Sequence, residues 1–289
     1  MSSRSITAGA GRGGLASTLW GSAHPGPTLV VTTLALALGL SARITPARLG
    51  ILVLAVFCGQ LSVGLSNDAL DAGRDRAAGR VDKPLARGAV SVHEVWLAAT
   101  VMLLASLGFS ALLGWKLLAA HGLALTLAWG YNAGLKSTAV SVVPFVVSFA
   151  VLPSLATLAS SGPGLAPPWA WAAGAALGTA VHFTNVLADL DDDARTGVRG
   201  LPHRLGAHTS TMISFLATIG GAAAVLAGSL VETAPDRVFA GSAFAAVMLI
   251  AVCGFLRALR HPDRVAFRLV MLAALLLVAQ LAASGIMAS

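Results

Sequence analysis

Charge is the scarcest commodity in this 289-residue chain: Asp, Glu, Lys and Arg together supply 11 % of it, against 56 % for the apolar set. Soluble domains carry about 25 % charged residues, so an ordinary water-soluble fold is excluded. With a mean hydropathy of +0.82, the composition points to a polytopic membrane protein. Cysteine is nearly absent. The two present, Cys58 and Cys253, each lie in an apolar run without metal-type spacing, which argues against a zinc cluster or a structural disulfide. The first 26 residues lack the apolar core of a secretory signal, and a flexible cytoplasmic tail is expected there. The net charge of +7 does not imply a nucleic-acid partner, because the basic residues are scattered over short connections rather than gathered on one aromatic-bearing patch.

What is abundant is apolar sequence in blocks. Nine segments, near 27–43, 49–68, 94–114, 117–134, 138–160, 168–188, 210–231, 237–257 and 267–286, are each long enough, or nearly so, to cross a bilayer as a helix. The expected fold is therefore an all-α membrane bundle of nine transmembrane helices. With the N-terminus inside, fifteen of the nineteen Lys and Arg fall in inner connections, so the positive-inside rule sets the orientation. Trp169 and Trp171 follow an uncharged Gly- and Pro-rich outer connection and fit an interfacial belt. His121 and His182, inside apolar segments, are expected to be hydrogen-bonded structural histidines.

The few acids are concentrated. Eight of twelve lie in two clusters, Asp68, Asp71, Asp75 and Asp82, then Asp189, Asp191, Asp192 and Asp193. The clusters echo each other at an offset of 118 positions, which aligns Asn67 with Asn185, Asp71 with Asp189, Asp75 with Asp193, Gly79 with Gly197, Pro84 with Pro202 and Gly88 with Gly206. Asn, Asp and Asp four apart form one stripe on a helix. Both stripes fall at the cytoplasmic C-terminal ends of the second and sixth spans, where the helix dipole disfavours negative charge, so a compensating cation is expected. Mg²⁺ suits oxygen ligands that share the ion with a phosphate; with no His or Cys in the stripe frame, zinc does not. Basic residues interleave with the acids, Arg74, Arg76, Arg80, Lys83 and Arg87 near the first and Arg195, Arg199 and Arg204 near the second, and as a set suit a diphosphate. A diphosphate with a lipid-soluble tail is a prenyl diphosphate, and an apolar bundle would keep water from its allylic cation.

These residues resemble the UbiA family of intramembrane prenyltransferases. Asn67, Asp68, Asp71 and Asp75 match its N-D-x-x-D-x-x-x-D motif; residues 79–88 are similar to its R-P-L-x-x-G continuation, with Lys83 in place of the usual Arg. Asp189 and Asp193 match its second motif, D-x-x-x-D, preceded by Asn185 and followed by a Gly200–Gly206 stretch similar to T-L-P-x-x-x-G; Tyr131 and Lys136 resemble the family's Tyr and Lys at the inner end of the fourth span. The resemblance covers residues 27–286, and a single transmembrane domain over 27–289 is expected.

The resemblance implies helices around a central cavity capped by polar loops on the cytoplasmic side. It implies Mg²⁺ held by Asn67, Asp68, Asp71, Asp75, Asp189 and Asp193, and diphosphate held by Asn67, Arg80, Lys83, Asn185 and Arg204. The catalytic set is Asp71, Asp75, Asp189, Asp193, Tyr131 and Lys136, with Tyr131 placed to stabilise a cation. Asp191 points away from the stripe, whereas Asp192 can assist. The expected activity is transfer of an isoprenyl chain to an acceptor, in this family most often aromatic, within the cytoplasmic membrane. The alternatives are a terpene cyclase of the same scaffold, needing no acceptor, and a binder or transporter of diphosphate lipids without chemistry.

Overall fold

The computed structural model describes residues 14–77, 79, 83–195, 197–231, 237–260 and 264–283. Ten α-helices and one 3₁₀ turn are formed among them, with no strand: α1 (Gly14–Ser22), α2 (Pro25–Ser41), α3 (Pro46–Ala77), α4 (Val92–Leu113), α5 (Trp115–Ala133), the 3₁₀ turn Leu135–Ser137, α6 (Val143–Leu158), α7 (Pro168–Arg195), α8 (Leu201–Val231), α9 (Arg237–Arg260) and α10 (Arg264–Ala283). The nine apolar segments overlie α2 to α10. By length and composition α3, α4 and α8 can each cross a membrane, and α1 with α2 qualifies as a pair bent by 74°.

Local chemistry sets the helix ends. Proline opens α2, α3 and α7, where its missing N–H costs nothing. Ser91 and Glu94 form a capping box at α4, with Ser91 Oγ accepting from the Glu94 N–H at 3.2 Å and Glu94 Oε2 from the Ser91 N–H at 2.9 Å. At the opposite end of the bundle Arg48 donates to the carbonyls of Ala159 (2.6 Å) and Leu113 (3.1 Å). One cation thus satisfies the C-terminal ends of α6 and α4.

The largest packing interfaces are α3 with α4 and α7 with α8, so each motif-bearing helix lies along the helix that follows it; α10 returns to α2. Gly174 and Gly178 let α7 lie directly on α6, since a Cβ at either would strike the carbonyls of Phe149 and Phe145. The 118-residue echo extends to the backbone. Gly79 and Gly197 have φ of 67° and 83°, and Gly88 and Gly206 have φ of 73° and 81°, left-handed values that glycine adopts without steric cost.

The N-terminal stretch departs from expectation. Residues 1–13 lie outside the described residues, but 14–22 of the segment read as a tail form α1, and its elbow with α2 reaches the site. His24 at that elbow has φ 52° and ψ 70°. Pro25 disfavours a right-handed helical conformation at residue 24, and histidine tolerates the left-handed region better than β-branched residues do. Gly64 of α3 receives the elbow, because a Cβ there would run into the backbone of Ala23.

Candidate active site

Thirty-two residues make α3 about 48 Å long, well beyond a hydrocarbon core of about 30 Å. The acidic stripe is therefore built on a continuous helix that outruns the bilayer rather than on a loop. Asp68, Asp71 and Asp75 are all buried. Three carboxylates cannot be buried together without cations, and three basic side chains meet them.

Lys136, on the 3₁₀ turn, grips both oxygens of Asp71 at 2.6 and 2.7 Å and donates to Asn67 Oδ1 at 3.3 Å. Arg74 holds Asp71 Oδ2 at 2.7 Å. Lys83 bridges Asp68 Oδ1 at 3.1 Å and Asp75 Oδ2 at 2.9 Å. The two lysines titrate differently. Burial pushes both ammonium pKa values down, but Lys83 faces two carboxylates whose attraction outweighs it, so its value is raised. Lys136 ends below the ordinary lysine value: burial outweighs the pull of Asp71, and repulsion from Arg74 and Lys83 adds to the fall.

His24 was not anticipated. Its Nε2 lies 3.1 Å from Asp68 Oδ1 and 3.4 Å from Asn67 Nδ2, and the shorter contact makes Nε2–H the donor to Asp68. A contact spanning 44 positions leaves no periodic trace; the only sequence signal was a histidine before a proline at a helix start. Asp68, off the Asn67–Asp71–Asp75 stripe by one position, is one of the most buried acids, with a relative exposure of 2 %, because His24 and Lys83 cover it.

Inward of the stripe is a cavity of about 330 Å³, lined by the α1–α2 elbow and α2 together with α3, α5, α6 and α7, with Asn67, Tyr131 and Asn185 near its polar end. Tyr131 stands edge-on to Phe145 (5.1 Å between centroids) and His182 (5.9 Å), and Phe145 stacks with Phe149 at 6.5 Å. Phe145 and Phe149 form the aromatic wall of this cavity.

The loop after the second motif is anchored to the same place. Ser141 Oγ accepts from the Leu201 N–H at 2.9 Å and is hydrogen-bonded to His182 Nε2 at 3.2 Å. Gly200 fits only because it has no Cβ, which would meet the Lys136 carbonyl at 2.5 Å. Lys136 therefore touches the first motif with its side chain and the second-motif loop with its backbone. His182 is hydrogen-bonded, as expected, and His121 pairs with Ser110 at 2.8 Å.

Of the other expected residues, Arg204 is exposed and donates to the Arg199 carbonyl at 3.2 Å, joining none of the described ion pairs. Arg80 and the side chains of Asp189, Asp191, Asp192 and Asp193 lie outside the described residues. Among the described residues no three His, Cys, Asp or Glu side chains are placed to hold a metal ion; the carboxylates of the first motif are engaged by Lys83, Lys136 and Arg74 instead. The donor set is nonetheless all hard oxygen, Asn67 with three buried carboxylates, which is the chemistry Mg²⁺ selects.

Solved structures share this architecture. A UbiA homologue from Archaeoglobus fulgidus bound to GPP and Mg²⁺ superposes with a TM-score of 0.70 at 15 % identity, over 92 % of this chain and 99 % of that one. An apo UbiA homologue from Aeropyrum pernix K1 gives 0.70 at 22 % identity, over 88 % and 96 %. A structure described as digeranylgeranylglyceryl phosphate synthase in membranes gives 0.73 at 12 % identity, over 94 % and 98 %. At these identities the likeness concerns the fold. No curated protein matches by sequence. The profile of the UbiA prenyltransferase family matches residues 28–276, nearly the whole bundle and both acidic motifs, and the chain belongs to that family.

Proposed function

We propose that this protein transfers an isoprenyl group from an allylic prenyl diphosphate to an acceptor, aromatic as the family resemblance implies, in a Mg²⁺-dependent reaction at the cytoplasmic face of the cytoplasmic membrane. One observation carries the reading: a buried acid stripe, already matched by cations, stands at the polar end of an apolar, aromatic-walled cavity. Asp68, Asp71 and Asp75 pair with Lys83, Lys136 and Arg74, so these six side chains together present no net positive charge to a diphosphate. Asp189 and Asp193 of the second motif add negative charge that Arg80 and Arg204 alone do not offset once a diphosphate binds, so the anion is best matched by bound cations. A homologue that holds GPP with Mg²⁺, and holds DMAPP with Mg²⁺ in another structure, supports that pairing. The inner connections' excess of Lys and Arg supports the orientation.

In this reading Asn67, Asp68, Asp71 and Asp75 with Asp189 and Asp193 hold the metal, whose bound charge makes diphosphate a better leaving group. Lys83 and Lys136, released from their carboxylates, turn to the diphosphate oxygens together with Asn185, Arg80 and Arg204. The C1–O bond breaks with its electron pair leaving on the diphosphate. The allylic cation then faces the ring of Tyr131 beside Phe145, in a cavity that excludes competing water. The acceptor supplies the electron pair for the new bond and loses a proton.

The test is a matrix of prenyl diphosphates against acceptors, including none, with Mg²⁺ and mass-spectrometric readout. A prenylated acceptor is the expected product. A cyclic hydrocarbon or alcohol formed without acceptor assigns cyclisation instead, and saturable binding without diphosphate release removes catalysis altogether.

A further inference from the structure

The α3 wall of the cavity comprises Asn67, Gly64, Val63, Gln60 and Val56. At 1.5 Å of rise per residue, Gln60 lies about 10 Å and Val56 about 16 Å inward of Asn67. On α5 the wall runs from Tyr131 to His121, about 15 Å further in. The floor is thus His121 with Val56 and Leu155.

His121 is an unusual floor for an apolar chain. Ser110 Oγ donates to the Ser106 carbonyl at 2.8 Å, which uses its one hydrogen. It therefore accepts from His121 Nδ1–H, also at 2.8 Å, and fixes the neutral tautomer with a lone pair on Nε2. That nitrogen lies against Gly59, where a Cβ would be 3.2 Å away. No hydrogen bond reaches it, or the neighbouring Gln60 amide, from any described residue. Polar side chains at membrane depth are costly and mark function by default.

We propose that His121 and Gln60 gauge the prenyl chain, admitting two or three isoprene units and excluding four. This rests on the prenyl diphosphate reading of the site. Four backbone bonds of about 1.5 Å give an extended isoprene unit an advance of about 5 Å. Measured from a diphosphate at Asn67, two units end beside Gln60, three meet His121, and four overrun the floor. The 330 Å³ volume lies at the small end of ligand sites, about 300–1,000 Å³. A chain end pressed on Nε2 also seals an unsatisfied acceptor from water, so polarity adds to the steric stop.

The experiment is competition binding of S-thiolodiphosphates, which resist ionisation, with ten, fifteen and twenty carbons, to the purified full chain with Mg²⁺. The wild type is expected to bind the twenty-carbon probe at least tenfold more weakly than the fifteen-carbon one. His121→Ala opens the floor and brings the two within about threefold. His121→Leu keeps the floor's size, removes the lone pair and tightens the fifteen-carbon probe several-fold while twenty carbons remain excluded. Equal wild-type affinity for fifteen and twenty carbons overturns the proposal, as does a His121→Ala ratio like the wild type's. If the alanine variant does not fold, an unchanged fifteen-carbon affinity in His121→Leu overturns it alone. Failure of every probe to bind rejects the prenyl diphosphate reading itself.

Discussion

Replacing Lys136 by Met should cost far more stability without Mg²⁺ than with it. The Lys136 ammonium sits 2.6 and 2.7 Å from the two oxygens of Asp71, with side-chain exposures of 11 % and 9 %. At an effective dielectric near 20, unit charges about 2.7 Å apart attract by about 6 kcal/mol, most of it offset by desolvation. Removing one partner of a buried pair typically costs about 3–5 kcal/mol. Arg74 remains on Asp71 Oδ2 at 2.7 Å and covers part of the exposed charge, so a loss of about 2–3 kcal/mol is expected without metal. At about 2–4 °C per kcal/mol, the melting temperature in EDTA should drop by about 4–12 °C. With Mg²⁺ the lysine's contribution shrinks, because the metal and the ammonium compete for Asp71. The variant should gain more from saturating Mg²⁺ than the wild type does, and the gap between them should narrow by at least half. Thermal unfolding of the detergent-solubilised protein in EDTA and in Mg²⁺ measures both. An equal deficit in the two conditions refutes the idea that Lys136 occupies the metal's place.

Gly64→Ala should displace the α1–α2 elbow, since the added carbon meets backbone of Ala23 that cannot rotate away. Overpacking of this kind costs about 1–3 kcal/mol, read as a lower melting temperature with wild-type values contradicting it. His24→Gly keeps the left-handed backbone and removes only the ring; diphosphate release should fall with little change in stability, and wild-type turnover would show that the Asp68 contact is incidental. Arg48→Met strips the cap from two helix ends at the far side of the bundle and should lower stability by about 1–2 kcal/mol without altering the KM for prenyl diphosphate.

The first acid stripe was legible because its cause is local: Asn67, Asp71 and Asp75 are four apart on one helix, and α3 continues through them as the spacing requires. The repeat was legible for a related reason. Gly79, Gly88, Gly197 and Gly206 hold left-handed turns that other residues adopt only with strain, so the same letters recur at the same offsets. Span ends were less readable. The segment read as beginning at 138 starts its helix at Val143, because Leu135–Ser141 is taken up by the 3₁₀ turn and the Ser141 anchor for Leu201. Elements set by distant contacts left no periodic mark. His24 meets Asp68 only because a bend after Gly/Ser-rich sequence settles on Gly64, and Phe145 becomes cavity wall only because α7 packs on it through Gly178. Arg204, read as a diphosphate contact beside the second motif, lies exposed and donates to the Arg199 carbonyl of its own loop, a local position the motif alone does not reveal.

The measurement closest to the central claim is diphosphate release from an allylic prenyl diphosphate by wild type, Asp71→Ala and Asp189→Ala, each with Mg²⁺ and with EDTA. Release by the wild type in Mg²⁺ alone, and by neither variant, is the predicted result. Full release by both variants, or release that persists in EDTA, would contradict a metal–diphosphate site built from both halves of the chain.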